Sequence, residues 1–391
     1  MRQTAPSVTG LSNADRLERR RLRRHRERLR LVAAVGAGAA AVAAGVVAVV
    51  GLHRAPAATP PQKQVIAPID RRVRPVGSVE IAAVGDMTFG SDGIAPSGGA
   101  GALLAGVASA LRSDLTVGNL ETTLGSGRSS KCAPSSTTCF RFQAPTSTAA
   151  ALRQAGIAAV NVANNHSYDY GLAGQHETSA ALQSAHIAYA GRPGQTTYLG
   201  RHGIRIALLG FAPGNYNQNL LDLPAAVELV KEASTRADFV VVFIHAGAEG
   251  PAHQHVRPGM EMYLGEQRGD PVRFAHAVVD AGADLVLGSG PHVLRAMEWY
   301  RGRLIAYSLG NFSGYKTLRI DGVSGITGIL RIRLRADGSF AGGRLVPLRL
   351  VGFGTPTPDR RRAAIGIVNK LSSSDFPTGR VHLLPSGTLE P

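Results

Sequence analysis

The sequence predicts an α/β fold built around a mainly parallel sheet. Strand-like apolar segments alternate with helical stretches, six of these segments end in a polar residue, and a hairpin pattern follows them. The six segments are Ile81–Met87, Leu115–Glu121, Ala158–His166, Val240–Gly247, Asp284–His292 and Arg303–Phe312. Because ligands of open α/β sheets bind beyond the carboxyl ends of the strands, the polar ends predict one shared site.

Helical stretches and further strands complete the predicted domain. Helices are predicted over Gly101–Arg112, Ser147–Ala155, Leu172–His186, Pro224–Ala237 and Pro271–Ala281, and a further core strand over 203–212. Asp337 and Gly338 separate the alternating runs Ile326–Arg335 and Arg344–Gly352, which predicts a β-hairpin. We therefore expect a globular domain over residues 78–353. A C-terminal extension over 354–391 is expected to hold a helix at 360–371 and a last strand at 380–384.

The N-terminal residues predict a membrane anchor. Residues 1–30 form a basic segment with ten Arg and three acidic residues, and residues 31–52 carry no charged side chain. A helix of that length covers roughly 33 Å, enough to cross a bilayer core, and Arg-rich flanks stay cytoplasmic. The alternative is a cleaved signal peptide, which the long apolar run and Pro56 near the cut disfavour. The Pro/Ala/Arg-rich linker 53–77 then holds the main domain outside the cell membrane.

The basic charge does not indicate a nucleic-acid partner. The formal net charge is +16, and residues 1–30 contribute +7 of it. That excess lies directly beside the apolar run, which is typical of a membrane anchor. No nucleic-acid partner is therefore expected.

The two cysteines predict a local disulfide. Cys132 and Cys139 lie in one loop rich in Pro, Ser and Thr. Disulfides persist in extracytoplasmic proteins, and that loop has no other residues to complete a zinc site.

The polar strand ends carry residue types that bind divalent metals. Those residues are Asp86, Glu121, Asn165 with His166, His245, His292 and Asn311. Each alone has an ordinary explanation, such as a helix cap, a loop acid or a hydrogen-bonded core histidine. Together at strand ends they favour a metal-assisted site for a phosphate or carboxylate ligand.

Neighbouring residues extend this candidate set. His166 is expected to donate a proton to a leaving group, with Asp169 orienting its ring. Glu249 lies four residues after the His245 strand end. His253 and His255 follow in a loop, where they either add metal ligands or form a solvated turn.

Five ordered motifs resemble the CapA family of capsule-synthesis proteins, which is associated with poly-γ-glutamate capsule synthesis and export. The motifs are VGDMTFG, VGNLETTL, NVANNHSYDYG, FIHAGAE and GADLVLGSGPHVLRAMEWYRGRLIAYSLGNF. The resemblance runs from about Val79 to Phe312. It implies a two-sheet αββα sandwich similar to calcineurin-like metallophosphoesterases. The apolar run 31–52 places this sandwich behind an N-terminal transmembrane helix.

The resemblance also implies roles for individual residues. Asp86 matches a metal-binding aspartate, Glu121 stands where related phosphoesterases place a bridging Asp, and Asn165 and His166 match a metal ligand and a proton donor. His245 and His292 match the downstream metal-binding histidines. Two expected imidazoles are absent, because Thr88 and Gly290 occupy their positions. We therefore expect one divalent metal, or a weakly held pair, with Mn, Zn, Fe and Mg as candidates.

The implied function is that of a membrane-anchored, extracytoplasmic protein of capsule or poly-γ-glutamate synthesis with a metallophosphoesterase-like hydrolase site. Its expected partners are an anionic cell-envelope polymer or a phosphoester substrate, the membrane, and a polymer-synthesis complex. The alternative is a non-catalytic component that binds or exports an anionic polymer, which the two absent imidazoles favour. An amide-ligase or transpeptidase role is a third alternative, but no Ser or Thr nucleophile can be identified for it.

Overall fold

The computed structural model describes residues 76–390, apart from 92–93, 128, 134–135 and 137–138. The described residues belong to one compact unit. The predicted basic segment, the membrane anchor 31–52 and nearly all of the linker lie outside the described residues. Within the described part of the chain, no helix combines the length and the apolar character needed to cross a membrane.

Strands and helices alternate along the described chain. The strands are β1 Ser78–Thr88, β2 Leu115–Leu120, β3 Thr123–Leu124, β4 Gln143–Ala144, β5 Ala159–Asn161, β6 Ala188–Ala190, β7 Thr197–Arg201, β8 Ile204–Phe211, β9 Phe239–His245, β10 Glu261–Tyr263, β11 Glu266–Gly269, β12 Leu285–Ser289, β13 Met297–Tyr300, β14 Arg303–Ala306, β15 Asn311–Gly314, β16 Ile326–Arg335, β17 Phe340–Val351, β18 Thr355–Pro358, β19 His382–Leu383 and β20 Leu389–Glu390. The α-helices are α1 Gly99–Leu104, α2 Ala108–Leu111, α3 Thr148–Gln154, α4 Gly171–Ser184, α5 Leu223–Arg236, α6 Pro271–Asp280 and α7 Ala363–Asp375. The five predicted helical stretches are confirmed to within a few residues, although the first is split into α1 and α2.

Most strands belong to two mixed sheets. The first sheet has the order β18-β17-β16-β1-β2-β5-β6, and β15 also pairs with the end of β1. The second sheet has the order β13-β14-β12-β9-β8-β7. The central pairs β1–β2, β2–β5, β8–β9 and β9–β12 are parallel, whereas the edge pairs β16–β17 and β7–β8 are antiparallel. The prediction of an α/β fold with a mainly parallel centre is therefore confirmed.

The two sheets pack face to face with helices on both outer sides. Ile81 and Ala83 of β1 share a core with Val241 and Phe243 of β9. On the outer face of the first sheet, Ala82 and Val84 pack with residues of α1, α3 and α4. On the outer face of the second sheet, Val240 and Val242 pack with residues of α5 and α6. Strands buried on both faces need continuous apolar runs, which is why these segments lack polar alternation until they end. The layers therefore follow the order αββα.

The C-terminal residues join the first sheet and the inner core. Strand β18 pairs with β17, and Ala364 and Val368 of α7 lie in the core between the sheets. Residues 355–390 thus pack within the same unit as the domain predicted over 78–353. Their Pro- and Arg-rich composition hides the few apolar positions that make this contact. The predicted hairpin is confirmed, since β16 and β17 pair antiparallel on either side of Asp337 and Gly338.

Candidate metal centre

The carboxyl ends of the central strands bring the candidate residues together. In the first sheet, Asp86 of β1 lies in register with Asn119 of β2 and Asn311 of β15. In the second sheet, His245 of β9 lies in register with Ser289 of β12. The two edges meet, because His245 Nδ1 lies 3.6 Å from Asp86 Oδ1 and His245 Nε2 lies 3.6 Å from Glu121 Oε1.

Asp86, Glu121 and His245 form a compact group of potential ligands. Each is fully buried and offers one ligand atom, and these atoms all lie within 4.8 Å of one another. Carboxylate oxygen and imidazole nitrogen are ordinary ligands of divalent transition metals. The group therefore has the chemistry and the spacing of a metal site.

Buried ligand atoms without hydrogen-bond partners give the strongest indication of a cation. Among the described residues, both carboxylate oxygens of Glu121, Oδ1 of Asn165 and Nε2 of His245 are buried and lack such a partner. Burial raises the pKa of Glu121 well above its usual value, and the negative charges of Asp86 and Glu249 act in the same direction. Buried polar groups are costly unless they are hydrogen-bonded or coordinate a metal. The residues present therefore fit a divalent cation.

Asp86 is held in place from three directions. Its Oδ1 accepts a hydrogen bond from Nδ2 of Asn119 at 2.8 Å, and its Oδ2 accepts one from the Gly290 amide at 3.2 Å. His292 Nδ1 also lies 3.2 Å from Oδ2. Burial alone would raise the pKa of Asp86, but His245 and His292 outweigh that effect and hold it well below its usual range. Asp86 is therefore a carboxylate.

Gly290 stands where the resemblance led us to expect an imidazole. Its φ of 109° is a conformation that residues with a side chain rarely adopt, and an added Cβ would lie 3.0 Å from the Ala246 amide nitrogen. The other such position, Thr88, is buried, and its hydroxyl hydrogen-bonds to that of Thr317. A side chain at position 290 would therefore require its surroundings to shift.

His292 adds a positive charge to the cluster. Its Nδ1 lies 2.9 Å from Oδ1 of Asn311, and its Nε2 lies 3.6 Å from Glu121 Oε1 and 3.7 Å from Glu249 Oε2. Burial lowers the pKa of His292, but the carboxylates of Glu121, Asp86 and Glu249 outweigh burial and raise it to about 10. A metal at this position would compete with that proton.

His166 and Asp169 form a separate pair beside the cluster. Nδ1 of His166 lies 2.7 Å from Oδ2 of Asp169, and the His166 ring stacks on Phe142 with ring centroids 3.9 Å apart. A carboxylate only accepts hydrogen bonds, so Nδ1 carries the proton and Nε2 remains for a ligand. Burial lowers the pKa of His166, while Asp169 opposes that shift. The pair can therefore hold or transfer a proton at Nε2.

Three of the other candidates lie at the cluster or beside it, and two do not. Asn311 binds His292, and Glu249 lies between His292 and Arg268, with its Oε1 2.7 Å from Arg268 Nη2. Asn165 lines a cavity together with His245. Its neighbour Asn164 uses its amide to bind Asn119 and the Leu120 carbonyl. His253 is exposed, and His255 Nδ1 lies 2.7 Å from Oδ1 of Asp375 on α7.

Two important residues were missing from the sequence-based candidates. Asn119 lies two residues before Glu121, and its polar side chain in an apolar strand is a usable indication of a buried role. Arg268 is buried on β11 and pairs with Glu249 and Glu266. Since the β10–β11 hairpin has no clear strand pattern, the sequence carries no comparable indication for Arg268.

A cavity adjoins the cluster. Its volume is about 300 Å³, and its lining includes Asn165, Tyr216, His245, Glu266 and Arg268. Two of these residues, Asn165 and His245, also carry unpartnered ligand atoms. The cavity therefore borders two of the candidate metal ligands.

These features define an αββα protein with a buried carboxylate, amide and imidazole cluster at the meeting edges of its two sheets. Residues 80–315 match the sequence profile of the family described as bacterial capsule synthesis protein PGA_cap. The chain belongs to this family, which confirms the resemblance to CapA proteins.

Curated relatives agree with that assignment. The chain is 32% identical over 194 residues to the capsule biosynthesis protein CapA of Bacillus anthracis, covering 44% of each chain. It is 33% identical over 178 residues to the PGA biosynthesis protein CapA of Bacillus subtilis, covering 41% of this chain and 43% of the relative. A probable polyglutamine synthesis accessory protein of Mycobacterium tuberculosis is 28% identical over 271 residues, covering 61% of this chain and 66% of the relative. The chain thus spans less than half the length of the two Bacillus relatives.

The solved structures to which this chain is similar include two nucleotidases. The 5'-nucleotidase precursor of Thermus thermophilus has a TM-score of 0.41 and 11% identity, covering 73% of this chain and 57% of that chain. The NAD nucleotidase of Haemophilus influenzae has a TM-score of 0.38 and 12% identity, covering 74% of this chain and 55% of that chain.

Proposed function

We propose that this protein is a membrane-anchored, extracytoplasmic component of capsule or poly-γ-glutamate synthesis. Its metallophosphoesterase-like site binds a divalent metal and hydrolyses a phosphoester of a cell-envelope substrate. The observation that carries the metal site is the set of buried, unpartnered ligand atoms on Glu121, Asn165 and His245. The family match and the names of the relatives support the link to polymer synthesis. The apolar run 31–52 supports the anchor.

Asp86, Glu121, Asn165, His245 and His292 would hold the metal. A mixed set of carboxylate, amide and imidazole ligands suits Mn²⁺, Fe²⁺ or Zn²⁺ better than Mg²⁺, which prefers oxygen ligands and water. When bound, such an ion polarises a phosphoryl oxygen and lowers the pKa of a coordinated water.

The protein's own residues would orient the reaction and move the proton. Asn119 and the Gly290 amide fix Asp86. His166, with Nδ1 fixed by Asp169, presents Nε2 for proton transfer to the leaving oxygen. The adjoining cavity, with buried Arg268 in its wall, would receive the substrate.

The full-length protein, purified in detergent, tests this proposal. After loading with Mn²⁺ or Zn²⁺ and dialysis, we expect bound metal by elemental analysis and hydrolysis of p-nitrophenyl phosphate or bis(p-nitrophenyl) phosphate. His166→Ala should lower kcat by roughly 10²–10⁴-fold, the usual contribution of a general acid or base. His176→Ala, a change at an exposed histidine of α4, is the matched control. Absence of bound metal, together with no activity lost in His166→Ala, would sink the enzymatic proposal.

A second candidate function is binding or export of an anionic polymer without turnover. It is favoured by Thr88 and Gly290, which stand where two metal-binding imidazoles were expected. In that case Asp86→Asn should weaken binding of poly-γ-glutamate, and the metal-loaded wild type should hydrolyse neither phosphoester.

The membrane anchor has its own test. Protease added outside spheroplasts should degrade the main domain and leave the N-terminal segment protected.

A further inference from the structure

We infer that the disulfide-closed loop beside the site is a clamp that positions His166, Asp169 and Asn165. The disulfide clamp consists of four described residues, Lys131, Cys132, Cys139 and Phe142. The assignment deepens the proposed function and rests on it, since it concerns the same site. The clamp residues are positioning residues, because they contact His166, Asp169 and Asn165 and do not contact the substrate themselves.

Lys131 holds one side of the pair. Its Nζ lies 2.7 Å from Oδ1 of Asp169 and donates a hydrogen bond of 2.9 Å to the carbonyl of Asn165. Its backbone amide also donates to the Asp169 carbonyl at 2.8 Å. A single residue therefore fixes both the carboxylate that orients His166 and the backbone of a candidate metal ligand.

Phe142 holds the other side. Its amide donates a hydrogen bond of 2.6 Å to Oδ2 of Asp169, the same oxygen that faces Nδ1 of His166. Its ring stacks on the His166 imidazole with an interplanar angle of 23°. The position of His166 is thus set by contacts from both Asp169 and Phe142.

The disulfide joins these two sets of contacts. Cys132 directly follows Lys131, Cys139 lies three residues before Phe142, and the two cysteines are bonded with their Cα atoms 5.6 Å apart. Without this link, holding Lys131 and Phe142 against Asp169 at the same time would cost more conformational entropy. The disulfide therefore keeps the ammonium group and the aromatic ring near the pair at the same time.

The charge of Lys131 explains why this contact matters for geometry. Asp169 is completely buried, whereas the side chain of Lys131 is 33% exposed. A buried carboxylate that loses its cationic partner becomes costly, and turning toward water relieves that cost. Such a movement would release the His166 ring from its present orientation.

The first experiment changes the ammonium group in the full-length protein. Lys131→Met is compared with Lys131→Arg, which keeps the charge, and with Lys231→Met, which removes an exposed ion pair with Glu228. In Lys131→Met we expect hydrogen–deuterium exchange of the segments around Phe142 and His166 to accelerate at least tenfold. We expect kcat to fall about tenfold or more while KM changes less than about twofold. Lys131→Arg should restore most of both properties, and Lys231→Met should match the wild type.

The second experiment opens the disulfide without changing Lys131. The Cys132→Ser/Cys139→Ser double variant should show the same local acceleration of exchange and a several-fold weaker affinity for Mn²⁺ in calorimetric titration, because the Asn165 backbone is less fixed. This variant also covers the case in which Lys131→Met fails to fold. Wild-type exchange around Phe142 and His166 in the double variant would overturn the clamp.

The two proposals can fail separately. If the wild type binds no metal and hydrolyses no phosphoester, the proposed function fails, while the exchange measurements still decide whether the clamp holds His166. If the wild type is active and both clamp variants keep wild-type kcat and exchange, the clamp fails alone.

Discussion

Nδ2 of Asn119 lies 2.8 Å from Oδ1 of Asp86 and 3.1 Å from Nδ1 of His245, so one amide joins candidate ligands from the two sheets. Its Oδ1 accepts hydrogen bonds from Asn161 and Asn164 at 2.9 and 3.3 Å. Buried polar networks of this kind stabilise a single arrangement only when each member is satisfied. The shape of the candidate metal centre therefore depends on a residue that is itself no candidate ligand.

Replacing Asn119 with Ala should destabilise the fold as well as the site. The change removes partners from Asp86, Asn161 and Asn164, and buried groups without partners cost about 1–3 kcal/mol each. We expect the free energy of unfolding to fall by about 3 kcal/mol or more in chemical denaturation, together with weaker Mn²⁺ binding. Asn215→Ala, at an exposed position, is the control. Equal denaturation midpoints for both variants would show that the hydrogen bonds of Asn119 add no net stability.

Replacing Glu121 with Gln should separate stability from metal binding. Both oxygens of Glu121 are buried and lack hydrogen-bond partners among the described residues. Because burial raises the pKa of Glu121 well above its usual value, ionisation of this side chain costs the metal-free folded state free energy that a neutral Gln avoids. In a chelator at pH 8, we expect Glu121→Gln to melt at a higher temperature than the wild type. Added Mn²⁺ should then raise the melting temperature of the wild type only. A metal-free variant less stable than the wild type would contradict the view that Glu121 is kept for a ligand.

Metal removal should lower the stability of the wild type in a saturable way. A ligand that binds only the folded state at 100 times its Kd adds about 2.7 kcal/mol to the free energy of unfolding. Asp86→Asn and His245→Ala each remove one member of the fully buried group and should abolish most of this gain. His255→Ala should retain it, because His255 binds Asp375 and not the cluster. Thermal melts with a chelator and with increasing Mn²⁺ measure the effect, and an equal gain in all three variants would exclude this site as the metal centre.

The polar strand ends could be predicted from the sequence because a polar residue at the end of an apolar run is expected at the carboxyl end of a strand in a parallel sheet. Asp86, Glu121 and His245 were all found in this way. Lys131 and Arg268 could not be found, since their contacts depend on the path of a disulfide loop and of the short β10–β11 hairpin.

The packing of the C-terminal region was harder to predict from the sequence for a related reason. Helix α7 was expected at 360–371 and occupies Ala363–Asp375, but its packing between the sheets is set by tertiary contacts that a Pro- and Arg-rich composition conceals.

Asp284, at the amino end of β12, should make stability depend on pH. Its Oδ2 accepts a hydrogen bond from the Val240 amide at 2.8 Å, and its Oδ1 lies 3.1 Å from Arg303 Nη2. Burial outweighs both contacts and raises the pKa of Asp284 from 3.8 to about 6. The folded state therefore binds this proton more tightly than the unfolded state. The resulting stabilisation is complete below pH 3.8 and is lost as the pH rises through about 6.

Asp284→Asn should remove this pH dependence, because the amide does not titrate. The free energy of unfolding of the wild type minus that of Asp284→Asn should fall by up to about 3 kcal/mol between pH 4 and pH 7, at about 1.4 kcal/mol per unit of pKa shift. Chemical denaturation of both proteins at pH 4, 5, 6 and 7 measures this difference, and other carboxylates cancel in the subtraction. A difference that stays constant over this range would show that Asp284 has the same pKa in the folded and unfolded states. A difference that grows with pH would show that the Arg303 ion pair dominates over burial.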